Sequence, residues 1–83
     1  MKMVVALDRL PVGVPGTVID MGCQPAFYCK FQKIGILPGT CITVRYRSPG
    51  RGVSVVEFCD RVLALPSREL RGIYVRWENK KGY

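Results

Sequence analysis

Apolar residues along this chain fall in short alternating runs broken by glycine and proline, the pattern of a small β domain. Met3 to Leu7 reads as an edge strand. In DRLPVGVPGTVIDMG, Pro11, Gly13, Pro15 and Gly16 make a turn-rich loop. Thr17 to Met21 then reads as a strand, with Val18 and Asp20 on one face and Thr17, Ile19 and Met21 on the other, because strand side chains alternate. CITVRYR places Ile42, Val44 and Tyr46 on one face and Thr43, Arg45 and Arg47 on the other. SPGRG is a tight turn. VSVVEF changes phase between Val53-Val55 and Val56-Phe58, so one extra residue, a β-bulge, is expected near Val55-Val56. RVLAL pairs back through a hairpin at Cys59-Asp60. GIYVRW closes the series with Ile73, Val75 and Trp77 on one face.

One segment has helical period instead. In QPAFYCKFQKIG, Cys23, Phe27, Phe31 and Ile34 form a single stripe, with Lys30 and Lys33 off it. Pro25 suits the first helical position, where its missing N–H costs nothing. Gly35 suits a left-handed cap, and Pro38 forbids continuation. The spacing predicts an amphipathic helix over about 25–34, laid on the sheet. PSREL predicts a short helical turn at about 67–71, capped by Ser67, with Glu69 near its positive end. ENKKGY is a polar tail. The sum is mainly β: a small SH3-like barrel of five or six short strands with one helix, because so small and twisted a sheet closes on itself.

The length of 83 residues places all of this, 1–83, in one domain. Thirteen lysines and arginines against six acids give a net charge of +7. That charge suits nucleic acid, an acidic protein surface or an anionic membrane, and equally a solvated surface with no partner. Only five apolar residues separate Lys2 from Asp8, too few for a signal-peptide core, and no run approaches a membrane span. The expected location is the cytoplasm.

Four cysteines (Cys23, Cys29, Cys41 and Cys59) raise a disulfide framework or a metal site. The absent secretion signal argues against the first. Intervals of five, eleven and seventeen residues, with no histidine, do not resemble the close pairs of a zinc site. Small core hydrophobes are the simpler role. Enzyme constellations are missing too: no histidine can serve a nucleophile, the acids are scattered, and GVPGT lacks the phosphate-loop lysine. No catalytic activity and no cofactor are expected. Surface remains. Arg45, Arg47 and Arg51 lie on or beside one hairpin and form a basic patch for phosphates or carboxylates, or else a solvated strand face. Tyr46, opposite the arginines, is expected in the core. Trp77 either covers the barrel end or anchors an interface.

Leu7-x-x-Leu10-x-x-Gly13-x-x-Gly16-x-Val18, then Ile34-Gly35-Ile36-Leu37-Pro38-Gly39-Thr40, then Leu63-Ala64-Leu65, resembles the FeoA family of bacterial ferrous-iron uptake, from Leu7 to Val75. The same domain is similar to the C-terminal domain of iron-dependent repressors. The resemblance implies an SH3-like barrel without catalytic residues and a partner: FeoB, the membrane iron transporter with a cytosolic GTP-binding domain. Lys30-Phe31, Gly50-Arg51-Gly52, Asp60, Pro66 and Glu69-Leu70 depart from the family pattern. Ile36 and Leu37, two apolar residues in a tight connector, either plug the barrel or meet the partner. Ile36, Leu37, Arg45, Arg47, Arg51 and Trp77 are therefore the expected partner-binding residues. The alternatives are a basic nucleic-acid-binding barrel and a direct iron or zinc binder through the cysteines.

Overall fold

The computed structural model describes residues 2–22 and 24–78. Cys23 and the tail from Asn79 lie outside the described residues, and with them one position of the helical stripe and most of ENKKGY. Six antiparallel strands form one sheet: β1 (Lys2–Ala6), β2 (Pro15–Met21), β3 (Cys41–Arg47), β4 (Val53–Phe58), β5 (Arg61–Pro66) and β6 (Ile73–Glu78). Their order is β1-β6-β2-β3-β4-β5, so β1 and β5 are the edges. Helix α1 spans Pro25–Ile34, as its signals predict. Two 3-10 segments, Leu7–Arg9 and Ser67–Gly72, pack against one another. The second also touches β1 and β5, so it bridges the two edges and closes the sheet around the core.

Local chemistry sets the helix end. Gly35 takes φ of 100° and donates to the carbonyl of Gln32 at 3.3 Å, while Ile36 N–H donates to that of Phe31 at 2.9 Å. This is a Schellman motif, whose apolar residue after the glycine packs back on the last turn. Ile36 and Phe31 accordingly both belong to the buried core. Pro38-Gly39 then turns the chain onto β2: Gly39 N–H donates to the Val18 carbonyl at 2.7 Å, and Val18 N–H to that of Thr40 at 2.9 Å.

Four expectations are corrected. The second strand begins at Pro15, inside the expected loop, because Gly16 lies directly against Leu10 and Val75. Its register slips between Val18 and Asp20, so Ile19 is an extra residue. Met21 therefore joins Val18 in the core and Asp20 is exposed. The bulge expected in β4 lies in β3 instead, between Val44 and Tyr46. Strand β4 alternates regularly, burying Ser54, Val56 and Phe58 and turning Val53 and Val55 outward. Ser67 does not cap the second 3-10 segment; its hydroxyl meets that of buried Ser54 at 2.7 Å. The buried core runs through Leu7, Leu10, Phe31, Ile42, Val44, Leu70, Ile73 and Val75, drawing on both halves of the sheet.

Candidate partner-binding surface

The bulge in β3 decides where the hairpin side chains go. A bulge places two residues opposite one and reverses the phase beyond it. Ile42 and Val44 point into the core, but Tyr46 is 54% exposed, a correction to its expected burial. Arg45 and Arg47 consequently do not share a face. The Arg45 guanidinium is held outward by an ion pair with Glu57 of β4. Arg47 turns toward the barrel's closure, where its Nη2 donates to the Leu7 carbonyl at 3.1 Å.

Tyr46 stands at one side of an apolar face that runs across β3, β4 and β5. The register sets it beside Val55, and Val55 beside Ala64 of β5. Val53 and Val62 lie two residues along on the same face, 43% and 59% exposed. Large side chains so exposed and so near one another form a patch, unlike a lone surface valine. The patch borders edge strand β5 and carries the Arg45–Glu57 pair at its side.

A second feature lies at the closure. Arg51, at φ of 57° in the β3–β4 turn, donates from Nη2 to the Asp8 carbonyl at 3.0 Å. The Arg71 Nε lies 3.7 Å from Asp8 Oδ2. With Arg9 these side chains line a cleft of about 620 Å³, floored in part by Ala6 and Ser67. Arg47 lies close enough to Arg51 to feel its charge: burial lowers the Arg47 pKa, Arg51 lowers it further, and Asp8 partly opposes both. Its Nε is buried without a hydrogen-bond partner among the described residues.

The remaining expected residues are dispersed. Ile36 is fully buried, so its place is beneath the surface; Leu37 beside it is 38% exposed. Trp77 packs on the core from the end of β6, its Nε1 buried and unpartnered among the described residues. Cys29, Cys41 and Cys59 are free and exposed on separate elements, and among the described residues no three metal-ligating side chains converge. No helix of the described residues is long and apolar enough to cross a membrane. Sequence reasoning missed Tyr46, Arg9 and Arg71 as surface groups. The Arg51–Asp8 contact spans 43 positions, and nothing local in either segment announces it.

The FeoA domain family model matches residues 5–76. No curated protein matches the chain. Among solved structures, the chain is similar to an iron uptake regulatory protein, FeoA, at 24% identity and a TM-score of 0.80, over 89% of this chain and 97% of that one. A manganese-dependent transcriptional repressor matches at 23% identity and 0.81, over 94% of this chain and 44% of that one. The zinc complex of Stenotrophomonas maltophilia FeoA, described as a prokaryotic SH3 domain protein, matches at 21% identity and 0.67, over 88% of each. At such identities the structures speak for the SH3-like fold, and the family match over nearly the whole length carries the assignment: the chain belongs to the FeoA domain family.

Proposed function

We propose that this protein is a non-catalytic, cytoplasmic accessory protein of ferrous-iron uptake that binds the cytosolic, GTPase-containing part of a FeoB-type transporter. Family membership supports the iron-transport setting. The observation that carries the binding role is the exposed face of Tyr46, Val53, Val55, Val62 and Ala64 beside edge strand β5. Apolar patches that include an exposed aromatic and carry a charged rim are what protein interfaces bury. Arg45 supplies the rim. Leu37 and Arg51 are exposed contributors elsewhere, while Ile36, Arg47 and Trp77 act by holding the surface in shape.

The test is binding of the purified protein to the transporter's cytosolic domain, without nucleotide and with GDP or a non-hydrolysable GTP analogue. Wild type binds, and Tyr46→Glu and Val62→Glu each abolish binding while the fold is retained. Failure of the wild type in all three conditions overturns the reading.

One observation favours nucleic acid: Tyr46 stands outward beside Arg45, where a base could stack. Glu57 neutralises that arginine and would repel phosphates from the same face, so this reading is the weaker one. A mobility shift with single-stranded DNA or RNA that falls steeply with salt would revive it.

A further inference from the structure

The arginine cleft lies apart from the Tyr46 face, and a contribution of Arg51 to partner binding leaves its convergence with Arg9 and Arg71 unexplained. Three guanidinium groups, those of Arg9, Arg51 and Arg71, line it against one carboxylate, that of Asp8. They come from three separate parts of the chain: the first 3-10 segment, the β3–β4 turn and the second 3-10 segment. Asp8 offsets one of these charges, its Oδ2 lying 3.7 Å from Arg71 Nε while Arg51 bonds its main-chain carbonyl, and a positive surplus remains. Arg47 adds a fourth positive charge just behind. Arg47 and Arg51 lie close enough to repel one another, and the fold holds these two there with bonds to the carbonyls of Leu7 and Asp8.

We propose that this cleft is a binding site for a phosphate or pyrophosphate group of a small ligand. A phosphate ester carries about −1.5 to −2 charges at neutral pH, so one or two such groups balance the surplus. Geometry favours phosphate over carboxylate. A planar carboxylate is satisfied by one guanidinium fork, whereas a tetrahedral phosphate presents several acceptors to donors arriving from different directions. The cleft volume of about 620 Å³ is that of a small-ligand site and leaves room beyond the anion for the rest of the molecule. Arg51 is pre-placed, because its bond to the Asp8 carbonyl uses one donor and leaves the others for the ligand.

The experiment is calorimetric titration of the full chain with inorganic pyrophosphate and, separately, phosphate, at low salt. Saturable one-to-one binding is expected. Arg51→Gln and Arg71→Gln should each weaken it by about tenfold, the loss of one charged hydrogen bond. Arg45→Gln removes the same charge from another face and should change it less than about twofold. Sedimentation with vesicles containing phosphatidic acid, whose headgroup is a phosphate monoester, tests the lipid source of the same chemistry. Vesicle binding that pyrophosphate and Arg51→Gln both abolish assigns the cleft to a headgroup; its absence, with pyrophosphate still bound, assigns it to a free phosphorylated ligand. The proposal is overturned if pyrophosphate does not bind, or if Arg45→Gln weakens it as much as Arg51→Gln. Because no transporter is present, its failure leaves the partner reading untouched, and the reverse holds too.

Discussion

Ser54 of β4 and Ser67 of the second 3-10 segment share a hydrogen bond of 2.7 Å between their hydroxyls inside the core. It fastens the segment that bridges the sheet edges to a central strand. Removing one hydroxyl leaves the other buried and unpaired, which costs about 1–3 kcal/mol; removing both leaves nothing unpaired. Ser54→Ala and Ser67→Ala should each lower the urea midpoint, and the double variant should lose less than the two together. Additive losses would show that the hydroxyls act independently.

Gly16 explains part of the family signature in physical terms. A Cβ built there would lie 3.3 Å from Leu10 Cδ2 and from Val75 Cβ, both fully buried. Valine is stiff at its branched carbon and has nowhere to go. Gly16→Ala should therefore destabilise by about 1–3 kcal/mol through overpacking. Gly50→Ala, with nothing within 4 Å, is the neutral control. Equal thermal midpoints for the two variants would contradict the packing argument.

The same signature shows what was legible in the sequence. Leu7, Leu10 and Val18 are core residues, and Gly13 has φ of 86°, so all these positions record the fold. Helix α1 was legible because Pro25 and Gly35 act locally. The two bulges were not. Ile19 and Arg45 become extra residues only because the neighbouring strands hold a particular register, and each bulge reverses the phase of everything after it. That single displacement moved Tyr46 from expected core to surface and parted Arg45 from Arg47. The arginine cleft was illegible for a related reason: Arg9, Arg51 and Arg71 meet only when the barrel closes.

Lys30 of α1 reaches Glu69 of the second 3-10 segment at 2.6 Å, the ion pair that ties the helix to the closure. The pair is asymmetric, with side chains 44% and 9% exposed. Lys30→Met strands a nearly buried carboxylate. The loss should be about 1–2 kcal/mol, between that of an exposed and of a buried pair. Glu69→Gln leaves only an exposed lysine and an amide, so its cost should be smaller. The order of the two urea midpoints checks this: Glu69→Gln falling below Lys30→Met would mean the carboxylate is better solvated than its burial implies.

The β4–β5 hairpin carries a local conflict that invites repair. Cys59 and Asp60 stand at φ of 50° and 61° in a two-residue connection between paired Phe58 and Arg61. Both positions need left-handed backbone, as in a type I′ turn, whose twist matches the strands it joins. Cysteine is poorly suited to that region; aspartate tolerates it better, and asparagine followed by glycine best. Cys59→Asn should stabilise by a few tenths of a kcal/mol, and Cys59→Asn with Asp60→Gly by about 0.5–1 kcal/mol. Glycine's greater freedom in the unfolded chain sets the ceiling on the second step. Cys59 is exposed, so no core contact is lost with its thiol. A urea midpoint that stays level or falls in both variants would mean that the turn is held by the register of β4 and β5 rather than strained against its own residues.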